Sequence, residues 1–297
     1  MNVKSAIFVA SFSLLAVGSA HAVDYRDGTW DQSLGNVSKG VGGAGDYCFL
    51  TRVSGKFRGG GEEVRLWRNP KSGAWTLGGR SQQSGVTARA TCLPMTAFVS
   101  ASPGAVRWIS PQFSVTSQVS SSLFRCDPAP LGSYRYNTAW WGDAFTALSG
   151  ISGKFAGLGE FVMVDQSKQG KQPSHVGAAV GQCDVPATAY AMSYFVGKPS
   201  SGTVAVFIGP GGTGPVDIAG EYTFTVSHKA DAIRMIPTSQ GVCFFTRLSG
   251  RFNGGGEFAS IERETVNGVE YWRLVLQHAG AEGAIRAHAR CAAFAQR

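Results

Sequence analysis

Two stretches of this chain alternate apolar and polar residues without a break. Val86, Ala88, Ala90 and Cys92 fall on one side of an extended backbone, with Thr87, Arg89 and Thr91 on the other. Ile285, Ala287, Ala289 and Cys291 oppose Arg286, His288 and Arg290 in the same way. A period of two marks a strand with one buried face. Further strands are predicted over 47–53, rich in aromatic and β-branched residues, and over 63–68, where Val64 and Leu66 alternate with charged neighbours. Asn69-Pro-Lys-Ser-Gly73 reads as a turn, and Asn267-Gly268 as a two-residue hairpin between 261–266 and 269–276. Apolar runs at 203–208 and 222–226 are separated by Gly209-Pro-Gly-Gly-Thr-Gly-Pro215. No capped helical periodicity follows residue 22. The pattern predicts an all-β protein of antiparallel strands, sandwich- or barrel-like.

The strands recur. Cys48-Phe-Leu-Thr-Arg-Val-Ser-Gly-Lys-Phe57 returns as Cys243-Phe-Phe-Thr-Arg-Leu-Ser-Gly-Arg-Phe252, and a weaker third copy is Thr146-Ala-Leu-Ser-Gly-Ile-Ser-Gly-Lys-Phe155. All three share S-G-[KR]-F-x-G-x-G-E, with serines Ser54, Ser152 and Ser249 spaced 98 and 97 residues apart. Such spacing predicts a tandem array of three related β units with a repeat near 97 residues, the last cut short. The expected divisions are an arm at 23–46, units with their linkers at 47–137 and 138–235, and a truncated unit at 236–297. The arm is expected to be flexible, or to supply a strand to the truncated unit. Each unit is expected to close on a strand ending in cysteine: 85–92, 176–183 and 284–291.

This arrangement orders the six cysteines, Cys48, Cys92, Cys126, Cys183, Cys243 and Cys291. Cys48 with Cys92 and Cys243 with Cys291 join the first and last strands of the outer units. The middle unit has Thr146 where its first cysteine would fall, which leaves Cys183 to Cys126. No C-x-x-C pair or Cys/His cluster suggests a metal, and no cofactor motif is present.

Residues 1–22 carry Lys4, an apolar run over 6–17 and the ending Ser19-Ala20-His21-Ala22. This is the three-part pattern of a bacterial-type secretory signal peptide cleaved after Ala22. The apolar run is too short for a membrane-spanning helix, which takes about 20 residues. The mature chain is therefore expected to be secreted or periplasmic, without a transmembrane segment, and oxidising conditions there suit disulfides. The formal net charge of +8 favours anionic partners, although no run of four consecutive cations concentrates it.

Candidate chemistry lies both in the motif and outside it. Within the motif, glycines suit a sharp corner and Phe57, Phe155 and Phe252 suit a buried anchor. Lys56 with Glu62, Lys154 with Glu160 and Arg251 with Glu257 are expected to pair across that corner or to face a ligand. Gly150-Ile-Ser-Gly-Lys154 lacks the last glycine of a nucleophile elbow, and Gly209–Pro215 lacks the Lys-Ser/Thr of a phosphate loop. His175, His228, His278 and His288 are dispersed, so no catalytic residue is assigned. Trp75 and Trp272 sit on corresponding hairpins and read as core. Trp140 and Trp141, being adjacent, would point to opposite faces of a strand. With Tyr134 and Tyr136 they form a candidate glycan patch. The expected function is a non-enzymatic binding protein, adhesin- or lectin-like, engaging a glycan or other cell-surface polymer. The alternatives are a secreted toxin or virulence effector acting on target membranes, and a hydrolase on a β scaffold. Nucleic acid ranks below these, because the cations are not interleaved with aromatics in a known module.

Overall fold

A computed structural model describes residues 23–59, 61–98, 108–110, 112–116, 144–155, 161–166, 174–179, 187–195, 207–209, 212–214, 224–226, 232–254, 256–277 and 285–294. Among them the regular structure is antiparallel β-sheet with two 3-10 turns and no α-helix. The first strands are β1 (Arg26–Asp31), β2 (Lys39–Gly42), β3 (Asp46–Ser54), β4 (Glu63–Arg68), β5 (Trp75–Arg80) and β6 (Thr87–Pro94). Then come β7 (Trp108–Ile109), β8 (Phe113–Thr116), β9 (Ala144–Ser152), β10 (Phe161–Gln166), β11 (Ser174–Ala179) and β12 (Thr188–Phe195). The remainder are β13 (Phe207–Gly209), β14 (Gly212–Gly214), β15 (Phe224–Val226), β16 (Ala232–Pro237), β17 (Gly241–Gly250), β18 (Phe258–Val266), β19 (Val269–Gln277) and β20 (Ile285–Ala293).

Three sheets result, and each has a motif-bearing strand inside it. Their orders are β1-β6-β3-β18-β19-β16, then β2-β5-β4-β9-β12-β7, then β11-β10-β17-β20-β13-β14, with β8 also on β12 and β15 also on β20. Strand β3 lies between β6 and β18, β9 between β12 and β4, and β17 between β20 and β10. The strand that follows each motif therefore leaves its own motif strand and pairs with the next one, and the last of them, β18, returns to the first. The corners carry this crossing. Gly55, Gly153 and Gly250 have φ of 107°, 112° and 97°, a left-handed turn that glycine adopts without steric cost. Backbone bonds then close a ring: Phe57 N–H to the Phe252 carbonyl (2.8 Å), Phe155 N–H to Phe57 (2.7 Å) and Phe252 N–H to Phe155 (2.8 Å).

The three phenylalanine rings are fully buried and meet edge to face at 6.0, 6.0 and 6.3 Å between centroids. A second aromatic group, Phe49, Phe145, Phe244 and Tyr194, joins the motif strands and β12 deeper in the core. One continuous apolar core draws on all three sheets. Trp75 and Trp272 belong to it, and their Nε1 atoms donate to the Asp46 and Gly241 carbonyls, each at 2.8 Å and each two residues before a cysteine.

Cys48 and Cys92 face each other across β3 and β6, and Cys243 and Cys291 across β17 and β20, as bonded disulfides. In the middle sheet the same register place holds Thr146 opposite Ser193, whose hydroxyl oxygens are 2.8 Å apart. This corrects the expected closing strand: β12, not 176–183, pairs with β9 along its whole length, while β11 pairs with β10. A hydroxyl pair thus occupies the cross-strand site, and Cys126 and Cys183 lie outside the described residues. The 23–46 arm is also corrected. It supplies β1 to β6 in unbroken register and β2 to β5 across a bulge between Gly40 and Gly42, and the Tyr25 hydroxyl donates to the Thr238 carbonyl at 2.7 Å.

Candidate ligand-binding site

The motif corners bury their phenylalanines and leave Arg58, Gly61 and Arg251 exposed. Glu62 and Glu257 are buried, at 1% and 6% exposure. Among the described residues no ion pair joins Lys56 to Glu62 or Arg251 to Glu257. The expected pairing across those two corners is absent because the carboxylates fold onto their own loops. A Cβ on Gly59 would lie 3.0 Å from Glu62 Oε2, and one on Gly254 would lie 2.5 Å from Glu257 Oε2. The backbone of these glutamates serves the neighbouring corner, since Gly55 N–H bonds to the Glu257 carbonyl (3.0 Å) and Gly153 N–H to the Glu62 carbonyl (2.9 Å). Lys56, Lys154 and Arg251 immediately precede the three ring-closing N–H donors, so the fold gathers these cations around one axis. Glu160, Tyr134, Tyr136, Trp140 and Trp141 lie outside the described residues.

An open depression of about 330 Å³ sits elsewhere, lined by Asn36, Ser38, Glu63, Arg65, Trp67, Gly79 and Arg80. Strand alternation builds it. Val64 and Leu66 of β4 are fully buried, which turns Glu63, Arg65 and Trp67 outward along one row. On the adjacent β5, Gly78 stands opposite Arg65. A Cβ there would meet Ser38 Oγ at 2.6 Å and Trp67 Cη2 at 3.0 Å, so the bare glycine lets the indole lie over the sheet. The segment 36–38 closes the rim, held by the Trp30 indole N–H donating to the Val37 carbonyl at 3.1 Å.

Arg65 is fixed in three directions. Its Nε donates to Gln112 Oε1, and Gln112 Nε2 in turn donates to the Leu66 carbonyl (2.7 Å) and to Ser149 Oγ (2.6 Å). Its guanidinium lies 4.8 Å from the Tyr190 ring and 5.7 Å from the Trp67 ring. Glu63 approaches Arg80 at 3.7 Å. Burial, and after it the Glu63 carboxylate, raises the Tyr190 hydroxyl above its ordinary pKa, so the phenol keeps its proton as a donor. The depression therefore offers an indole shelf, two guanidinium groups, a carboxylate, a hydroxyl and an amide. Such a set can stack on a sugar ring and bond its hydroxyl or acidic substituents.

Sequence reading passed over this site. The outward row Glu63, Arg65, Trp67 was visible as alternation, but Asn36, Ser38, Gly79 and Arg80 join it only through the packing of separate segments. No helix among the described residues is long and apolar enough to cross a membrane. No family model matches the chain, and neither a curated protein nor a solved structure does.

Proposed function

We propose that this chain is a secreted or periplasmic binding protein of adhesin or lectin character, and that its ligand is a glycan bearing acidic groups. The observation that carries this reading is the depression itself, where Trp67 forms a flat apolar shelf beside Arg65, Arg80, Glu63 and Ser38. Aromatic stacking supplies area at little conformational cost, and arginine forks select carboxylate, sulfate or phosphate. The two cross-strand disulfides support an oxidising compartment. The same reading takes the chain as three related units of about 97 residues. Its support is the recurring motif together with the cyclic strand pairing.

Titration against a panel of neutral and acidic oligosaccharides, for the wild type and for Trp67→Ala and Arg80→Ala, tests the proposal. Each substitution should weaken binding about tenfold, the range of a central contact, without moving the melting temperature by more than a few degrees. Wild-type affinity in both variants would overturn it.

A further inference from the structure

The three sheets present different chemistry at corresponding register positions. Strand β20 turns Arg286, His288 and Arg290 to the side opposite its buried Ile285, Ala287 and Ala289. On β17, Arg247 pairs with His288 and Ser249 with Arg286. Arg286 is exposed, while Arg247 and His288 are half-buried. The Arg247 guanidinium lies 4.7 Å from the Phe161 ring centre, and its Nε is buried without a hydrogen-bond partner. Among the described residues no carboxylate lies within 4.0 Å of Arg247 or Arg286. Burial, followed by the charges of Arg247, Arg286 and Arg290, draws the His288 pKa down to about 4.

The sheet built on β3 and β6 handles the same position differently. There Arg52 stands opposite Arg89, but Arg52 approaches Glu262 at 3.5 Å. Arg89 donates to Ser260 Oγ (3.0 Å) and the Ile261 carbonyl (2.7 Å). Further along that face, Glu264 meets Arg234 at 2.7 Å and Arg273 at 3.6 Å. That face neutralises its arginines, whereas Arg247 and Arg286 meet no carboxylate among the described residues. Uncompensated, partly desolvated guanidinium groups attract oxyanions more strongly than solvated ones, since the local dielectric is lower.

We propose that the outer face of β17 and β20 is a binding strip for a linear acidic polysaccharide, whose sulfate, phosphate or carboxylate groups pair with Arg247 and Arg286 on either side of His288. Arg247 on β17 and Arg286 on β20 stand diagonally across adjacent strands, about 4.8 Å apart in the hydrogen-bonding direction and one step of about 6.5–7 Å along the strand. So narrow a cationic pair suits one charged chain better than the two phosphate ridges of a duplex. The strip shares a class of ligand with the depression at Trp67 but neither its face nor its residues.

Calorimetric titration of the full chain with a sulfated hexasaccharide, a uronic acid oligomer, a phosphorylated oligosaccharide, a neutral oligomer and a short DNA duplex, at low and high salt, tests this. At least one of the three acidic oligomers should bind, and which does so names the oxyanion. Arg286→Glu and Arg247→Gln should each weaken that binding about tenfold or more, and each should lower the slope of log affinity against log salt by about one. Arg273→Glu, the same charge change on the other sheet, should stay within about twofold of wild type. Where Arg247→Gln loses its folded circular dichroism signal, the exposed Arg286→Glu decides. An equal loss in Arg273→Glu, tighter binding to the duplex, or no binding to any acidic oligomer would overturn the strip. Retained binding in Trp67→Ala supports it. Loss there, with both strip variants at wild-type affinity, would sink the strip and leave the depression standing.

Discussion

At the scale of single residues, the corner glycines and His288 give the sharpest expectations. Gly55 combines φ of 107° with backbone on top of it, for a Cβ would fall 2.2 Å from the Gly85 carbonyl oxygen. Gly55→Ala should therefore cost about 2–4 kcal/mol in urea unfolding, from strained backbone plus a displaced neighbour. Gly40→Ala, where a Cβ meets nothing within 4 Å, is the control and should change stability by about 0.5 kcal/mol or less. His288 ties stability to pH. It is faced by Arg247 from β17, by Thr225 from β15, and by Arg286 and Arg290 on its own strand. Its folded pKa, about 4, lies below the unfolded value of 6.5, so the unfolded chain binds the extra proton between those limits. Stability should fall as pH drops from about 6.5 to about 4 and level off below. Allowing for partial solvent screening, the loss is on the order of 1–2 kcal/mol. In His288→Asn this component of the pH dependence should vanish from a series of melts.

At the scale of elements, local signals were legible and partnerships were not. Asn267-Gly268 joins β18 to β19 in an unbroken register, because a two-residue turn with positive φ at both positions suffices to set it. The cysteine pairs were legible as well, since the outer motif strands and their closing strands carry cysteines at matching offsets. The middle closing strand was misread because Cys183 drew attention away from β12. Thr188-Ala-Tyr-Ala-Met-Ser-Tyr-Phe195 alternates like β6 and β20 but carries Ser193 in the cysteine position. Likewise Trp67 and Arg65 could be seen to face outward, whereas the depression needs Asn36 and Ser38 from the segment before β2 and Gly79 and Arg80 from β5, and pairing between separate segments leaves no local mark. The hydroxyl pair invites a direct check. Thr146→Cys with Ser193→Cys should form a third cross-strand disulfide, because Cys48–Cys92 and Cys243–Cys291 occupy the same register with Cα atoms 4.0 Å apart. It would close a loop similar to theirs, and the chain-entropy model gives about 4 kcal/mol for such a loop. Thiol counting should find no new free thiols, and the melting temperature should rise. Two reactive thiols would show the register to be wrong.

At the scale of the whole molecule, the cyclic pairing separates this chain from an array of stacked repeats. In a solenoid each unit leans on its neighbours in a line, and a block of units can fold without the rest. Here β4 completes the sheet of β9, β10 that of β17, and β18 that of β3, so a cut after β8 or after β12 takes a neighbour from two of the three motif strands. Cutting between β8 and β9 removes β18 from β3 and β9 from β4 in the first piece, and removes β4 from β9 in the second. It also breaks the Phe57, Phe155 and Phe252 ring and opens the shared aromatic core to water. Residues 23–137 and 138–297, produced separately, should each lack a cooperative unfolding transition. The intact chain should unfold in a single one. Mixed and refolded together under oxidising conditions, the two pieces should associate one to one and recover that transition, since the strand pairings across the cut are hydrogen-bonded and the expected Cys126–Cys183 bridge can re-form between the pieces. A sharp melt from either piece alone would mean that the sheets are stable without their exchanged strands, and that the closed ring is not the unit of folding.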